Sequence, residues 1–594
     1  MCGITGYTGF DQATPILIDG LKKLEYRGYD SAGIAISADS FKICKTAGRI
    51  TTLESNVKNS DMKGTTGIGH TRWATHGEPS TTNSHPHLST DKSIAVVHNG
   101  IIENYEALRA MLTNKGYKFV SDTDTEVIPN LISMYYDGNL TDAVIKTSKE
   151  LTGSFAICVM HTKEPGRIIA VKKDSPLIIG YKDKEKYVAS DIHALTKHTK
   201  NVYMLKDMEF ADITPASVKI YSEKKEEIQP DILNIQTEEE FSGKNNFEDY
   251  MLKEIFEQPQ AFSNTLTATF NNIPQEISKA EKIQIIACGT AYNAGVVGKY
   301  VIEQLAKIPV ETDIASEYRY RNPLTDKDHL VIAISQSGET ADTLAALRLA
   351  KQKGAKTLAV TNVKESTLSR EADYVLYTKA GTEIAVASTK AYSSQLAVMF
   401  VLGIYFADTK SNIAKSEAEK LKNELFDIPD KMKEILKKEN EIKEICKKLS
   451  EEKNIFFIGR GTDYSVAAEG ALKMKEISYI HSEAYPAGEL KHGPIAMIEK
   501  NTPVIALCTN TDLESKMHSN IKEVIARGAK VTAIVPESTN CTECAKSIVI
   551  PGTNSIFSPA LSVLPLQLMA YHVSKEKGLD TDKPRNLAKS VTVE

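Results

Sequence analysis

Ile283-Gln284-Ile285-Ile286-Ala287-Cys288-Gly289-Thr290-Ala291-Tyr292 is an apolar run that closes on a Cys-Gly-Thr turn, and the chain carries it twice. The second copy reads Ile455-Phe456-Phe457-Ile458-Gly459-Arg460-Gly461-Thr462-Asp463-Tyr464. Two further blocks follow each copy in the same order and at nearly the same spacing. Val331-Ile332-Ala333-Ile334 matches Val504-Ile505-Ala506-Leu507, and Gly354-Ala355-Lys356 matches Gly528-Ala529-Lys530, each ahead of another apolar run. Short runs that are apolar on both faces suit strands of a parallel sheet covered by helices on either side. Helical patterns such as Thr343–Lys353 lie between them. Self-similarity at a fixed spacing therefore predicts two tandem doubly wound α/β domains, over 273–413 and 445–584.

The two copies part at the end of their second strand. The first continues as Ser335-Gln336-Ser337-Gly338-Glu339-Thr340 before a helix, and the second as Cys508-Thr509-Asn510-Thr511-Asp512. A hydroxyl-rich turn between strand end and helix start aims backbone N–H groups and the helix dipole at an anion. Ser and Thr there can also serve as helix caps. Three hydroxyls and a Gly in six residues exceed that need, so phosphate binding is expected. The Gly-x4-Gly-Lys spacing is absent, so ATP is not implied.

Residues 2–220 precede the repeats as short apolar or alternating runs mixed with helical patterns, which predicts a layered α+β domain. Residues 221–248 are polar and charged and read as a linker. The first candidate for chemistry is Cys2 in Met1-Cys2-Gly3-Ile4-Thr5-Gly6. Removal of Met1 would put a thiol and an α-amine on one residue. That amine titrates at about 7.7–8.0 and can take the thiol proton. A Cys can equally follow Met1 with no role.

Other candidates carry similar pairs of readings. His70-Thr71-Arg72-Trp73-Ala74-Thr75-His76-Gly77 holds the single Trp of the chain. Arg72 suits a carboxylate through its forked guanidinium, or is a surface Arg beside a core Trp. His98-Asn99-Gly100 offers an amide and an N–H for an oxyanion, or is an Asn-Gly hairpin turn. Asp124 in Asp122-Thr123-Asp124-Thr125-Glu126 caps a helix or faces an ammonium group.

Bulk properties exclude several classes. At 594 residues the chain holds several domains. A net charge of −5 gives no electrostatic footprint for nucleic acid or an anionic membrane surface. No uninterrupted apolar stretch reaches the roughly 18 residues of a spanning helix, and no signal peptide is read, so the expected location is cytoplasmic. The eight Cys are scattered, as suits a reducing compartment. Cys541-Thr542-Glu543-Cys544 is a lone CxxC with no second pair, so neither a metal nor another cofactor is expected.

Taken together, Met1–Ile4, Leu24–Gly33, His70–Gly77, His98–Gly100 and Thr123–Glu126 resemble a class II glutamine amidotransferase domain, an N-terminal-nucleophile hydrolase fold with αββα layers. The resemblance implies Cys2 as nucleophile, Asn99 and Gly100 as oxyanion stabilisers, and Arg72, Trp73, Thr75, His76 and Asp124 around the glutamine. The tandem repeat resembles paired sugar isomerase (SIS) domains. With the tail 585–594, the whole chain is similar to the isomerizing glutamine–fructose-6-phosphate aminotransferase family. That implies glutamine and fructose 6-phosphate as substrates. It implies Thr290, Ser335, Gln336, Ser337, Thr340, Val386, Ser388 and Lys473 as phosphosugar contacts. It further implies Glu476 as the base moving a proton between C1 and C2, His492 as the ring opener supplied by the other subunit of a homodimer, and Lys589 as the Schiff-base amine. Trp73 would gate passage of ammonia, with the tail helping to wall its channel. Ala291 stands where the family often has Ser. An amidophosphoribosyltransferase shares the Cys2 domain but not the repeat. A sugar-phosphate sensor built on SIS domains would not need Cys2, Glu476 or Lys589.

Overall fold

The computed structural model describes residues 2–74, 76–235, 243–539 and 541–592. Met1 and Thr75, both invoked above, lie outside the described residues, as do Val593 and Glu594 of the tail. The chain forms two compact units: Met1–Glu240 together with Ala588–Glu594, and Phe241–Leu587.

The first unit stacks two antiparallel sheets. One has eight strands, with Gly3–Thr8 in its interior between Thr66–Arg72 and Glu185–Ala189. The other has seven, with Ile94–Ile102 paired to Gly153–His161. Ile4, Ala35 and Ile68 of the first sheet share one apolar cluster with Ala95, Val97, Ala156 and Cys158 of the second. Alternation along each strand sends its other side chains outward. There the first sheet packs on helix Ala13–Leu24, and the second on helices Tyr105–Asn114, Val127–Tyr135 and Leu140–Glu150. The layering is αββα.

Two local readings change. His98-Asn99-Gly100 is not a hairpin turn but lies inside the strand Ile94–Ile102. The expected linker adds edge strands to this unit: Glu227–Ile228 extends the seven-stranded sheet and Leu233–Asn234 the eight-stranded one.

The second unit holds two five-stranded sheets whose strand pairs are all parallel. Strands Lys282–Ala287, His329–Ile334 and Lys356–Thr361 recur as Asn454–Gly459, Pro503–Leu507 and Lys530–Pro536. Both sheets have the order second-first-third-fourth-fifth. This is a doubly wound arrangement whose switch point falls beside the first strand. Helices Gly289–Ala306, Lys390–Thr409, Thr462–Ser478 and Ser558–Glu576 contribute to one continuous apolar cluster. Lys390–Thr409 is long and apolar enough to cross a membrane, but 89% of its apolar window is buried within this unit.

A buried ion pair ties the turn after helix Ala13–Leu24 to the loop after Glu185–Ala189. Arg27 donates to Asp191, which also accepts from the Tyr26 hydroxyl at 2.8 Å. Removing one member of such a pair strands a charge in the core. Arg27→Ala is expected to lower the stability of the first unit by about 3–5 kcal/mol. Unchanged denaturant unfolding in that variant would contradict this account.

Candidate functional site

Strand register places the first cluster. Gly3 pairs with Thr71, so Cys2 faces the exit of the neighbouring strand, and the Trp73 N–H reaches the Cys2 Sγ at 3.4 Å. The second sheet supplies Asn99, whose Nδ2 donates to the Cys2 carbonyl at 3.1 Å. Asn99 is itself held. His70 donates Nε2–H to the His98 carbonyl at 2.9 Å and to Asn99 Oδ1 at 3.1 Å. That ring is buried and stacks on His85 at 4.0 Å, and burial drives its pKa down to about 3, so it stays neutral. Gly100 has φ of +130°, and a Cβ there would stand 2.0 Å from the Ser154 carbonyl oxygen. Only glycine fits, and its N–H stays beside Asn99. Burial pushes the Cys2 thiol up, with Arg72 nearby pulling it down. The thiol therefore needs a base to ionise near neutrality.

Arg72, 3% exposed, donates to the carbonyls of His76, Gly77 and Glu78 and so anchors the turn that follows Trp73. Asp30 accepts the Ala74 N–H at 2.9 Å. The buried Asp124 does not cap a helix: its Oδ2 accepts the Ile102 N–H at 2.8 Å, just beyond Gly100. The Asp124 and Asn99 segments are thus brought together. The His76 ring meets Tyr105 edge-on at 5.3 Å.

The second cluster sits where the first helices of the two repeats meet. On helix Thr462–Ser478, Glu469, Lys473 and Glu476 fall at i, i+4 and i+7, hence on one face. Lys473, 1% exposed, lies 2.5 Å from Glu476 Oε2 and 3.5 Å from Glu469 Oε1, and donates to Thr290 Oγ1 at 2.9 Å. Glu469 also accepts from Thr290 and from Asn293, at 3.1 and 2.8 Å. Burial raises the Glu469 carboxyl to about 7. Sequence reasoning missed Glu469, although its spacing to Lys473 and Glu476 was legible. It also missed Asn293, for which no local signal exists.

The hydroxyl turn is organised from within. The Ser335 Oγ contacts Thr340 Oγ1 at 2.9 Å and accepts the Gly338 N–H at 3.1 Å, while Ser337 Oγ accepts from Glu339 N–H at 3.2 Å. Thr340 begins helix Ala341–Gln352, but its side chain makes no cap bond. Gly338 has φ of +66°, and a Cβ there would lie 2.1 Å from Ser366 Oγ. The Val386 N–H donates to the Asp582 carbonyl at 2.9 Å. The Gln336 carbonyl accepts from Asn362 N–H at 3.1 Å.

The equivalent place in the second repeat is closed differently. There the buried Asp463 carboxylate accepts the N–H groups of Thr509 and Asn510 at 2.8 and 3.2 Å. His492 ends the 3-10 turn Ala487–His492 and is exposed. Lys589 is half-buried in the tail that groups with the first unit, between exposed Asn586 and buried Ser590.

Comparison with known proteins follows this division. The SIS domain profile matches residues 276–405 and 448–575, and the glutamine amidotransferase domain profile matches 70–197. A glutamine–fructose-6-phosphate aminotransferase (isomerizing) of Clostridium tetani is 55% identical over 608 residues, covering 100% of both chains. The enzyme of that name from Thermus thermophilus is 45% identical, again with full coverage of both. Among solved structures, the C-terminal domain of the Francisella tularensis glucosamine-fructose-6-phosphate aminotransferase is 42% identical. It matches with a TM-score of 0.56 and covers 58% of this chain and 100% of that one.

The raised Glu469 carboxyl links folding to pH. Its contribution to stability is complete below the usual 4.5 and is lost as pH rises through about 7. Glu469→Gln removes this titration. The unfolding free energy of the wild type is expected to fall relative to that variant across this interval. Parallel stability–pH profiles would rule the assignment out.

Proposed function

The chain belongs to the glutamine–fructose-6-phosphate aminotransferase (isomerizing) family, and from that membership we propose how its residues divide the work of making glucosamine 6-phosphate. The reaction moves the side-chain amide nitrogen of glutamine to fructose 6-phosphate, isomerises the product and releases glutamate. The observation that carries this reading is 55% identity over the full length of both chains.

In the first unit, Cys2 attacks the glutamine amide and forms a thioester as ammonia leaves. The thiol proton passes to the Cys2 α-amine once Met1 is removed. Asn99 Nδ2 and the Gly100 N–H stabilise the oxyanion, a role supported by the rigid hold of His70 on Asn99. Water then releases glutamate. Arg72 takes the α-carboxylate and Asp124 the α-ammonium, with Trp73, Thr75 and His76 around the substrate. The carboxylate competes with the carbonyls of the 76–78 turn for the same guanidinium, so binding is coupled to that turn.

In the second half of the reaction, Ser335, Gln336, Ser337 and Thr340 hold the phosphate, which their turn before helix Ala341–Gln352 suits. Thr290, Val386, Ser388 and Lys473 line the sugar. His492 opens the ring. The Lys589 amine condenses with the C2 ketone, losing water, and ammonia later displaces it. Glu476 carries the proton between C1 and C2. His492 acts on the neighbouring copy of a homodimer, for which its exposure leaves it available. The charged phosphosugar substrate supports a cytoplasmic location. The domains are read as amidotransferase 2–220, SIS 273–413 and 445–584, and an active-site tail at 585–594.

Incubation with glutamine and fructose 6-phosphate tests the whole reading: glutamate and glucosamine 6-phosphate are expected in equal amounts, and failure to form the amino sugar overturns it. Borohydride added with fructose 6-phosphate alone should fix the sugar to the peptide bearing Lys589, and modification elsewhere would remove that role. Trp73→Ala is expected to release glutamate in excess of amino sugar, whereas equal yields would exclude gating. Glu476→Gln and His492→Ala should each be inactive alone and regain activity when co-assembled. No recovery would place both residues in one subunit.

A further inference from the structure

We propose that Cys541, Cys544, His518 and Glu543 form a zinc-binding site in the reduced chain, on the second SIS repeat and separate from both reaction clusters. The sequence alone gave no second ligand pair for the lone CxxC, and no metal was expected there. Folding supplies the missing donors from a segment more than a helical turn away in sequence. His518 lies on helix Glu514–Ile525, and the Cys541–Cys544 turn follows strand Lys530–Pro536. One donor atom each from His518, Cys541 and Glu543 lie within 4.8 Å of one another. The turn is tight, with the Cys544 N–H donating to the Cys541 carbonyl at 3.2 Å, so the second sulfur cannot be far.

In this structure the two sulfurs are joined as a disulfide, and the His518 Nδ1 stands 2.7 Å from Glu543 Oε1. Cys541 is 5% exposed, and it and Cys544 pack on the apolar cluster containing Met517 and Val535. The His518 and Glu543 side chains are partly exposed, which leaves an entry path. Reduction by two equivalents of a monothiol gives each cysteine sulfur one electron and one proton, while the two reductant thiols become one disulfide. Zinc then displaces the two thiol protons. Two thiolates, an imidazole and a carboxylate are a donor set suited to tetrahedral Zn²⁺ rather than to Mg²⁺ or Ca²⁺. Bond lengths of about 2.0–2.3 Å put tetrahedral ligands about 3.3–3.8 Å apart. The cluster therefore needs to contract at its widest and relax slightly at the His518–Glu543 contact. Oxidation to the disulfide removes both thiolates, so the pair is either bonded or metal-bound, not both.

Cobalt(II) is the probe, because thiolate-ligated tetrahedral cobalt absorbs strongly in the visible and near ultraviolet. The full-length chain is reduced with a phosphine, desalted without oxygen and titrated. One cobalt per chain with tetrahedral thiolate bands is expected, and zinc should displace it. Cys541→Ser/Cys544→Ser should abolish the bands, and His518→Ala should weaken binding by roughly tenfold or more. Formation of glucosamine 6-phosphate by each variant reports that it is folded. Should the double variant lose that activity, partly exposed His518 provides the deciding change. Absence of the bands in reduced, active wild type overturns the site, as do bands undiminished in both variants.

Discussion

A lysine ammonium cannot stand in a protein core without opposite charge, since the effective penalty for burying one ion is several kcal/mol. Lys473 is 1% exposed, and Glu469 at 0% and Glu476 face it from its own helix. The remaining donors and acceptors come from the other repeat, through Thr290 and Asn293. The contact therefore requires the first helices of both repeats to meet in one register. The second repeat supplies the opposite charges from its own helix, and the first repeat completes the hydrogen bonding through Thr290 and Asn293. The polar cluster so fixed sets a carboxyl raised to about 7, that of Glu469, beside a buried lysine.

The first unit rests on a constraint of a different kind. Its nucleophile candidate is the second residue of the chain, where most proteins are frayed. Here the chain enters at once as an interior strand, paired on one side from Gly3, opposite Thr71, and on the other from Thr5, opposite Ala189. Cys2 is thereby as well placed as any core residue. The facing sheet supplies Asn99 at a distance set by side chains packed between the two layers.

Much of this was legible in the sequence. Strands buried on both faces betray themselves as apolar runs, and their repetition disclosed the doubly wound pair with its strand bounds nearly correct. The hydroxyl turn was visible because its composition exceeds the needs of a cap. Asn99-Gly100 misleads locally, because the dipeptide favours turns while the pairing of Ile94–Ile102 with Gly153–His161 overrides that preference. The two edge strands in the expected linker escaped notice because two residues carry no periodicity. Asn293, His70 and His518 matter through partners distant in sequence, and nothing short of the fold brings those partners near.

The carboxylate of Asp463 gives the duplicated architecture a further meaning. In the first repeat, the turn that follows strand His329–Ile334 carries the hydroxyls of Ser335, Ser337 and Thr340. In the second, a side chain of the protein itself already occupies the equivalent N–H groups. The second repeat is in this sense occupied by its own carboxyl group. Two copies of one scaffold thus differ at the same strand end, with hydroxyl side chains in one and a carboxyl in the other. Backbone N–H groups that could otherwise meet an anion are there already taken up by a side chain of the protein itself.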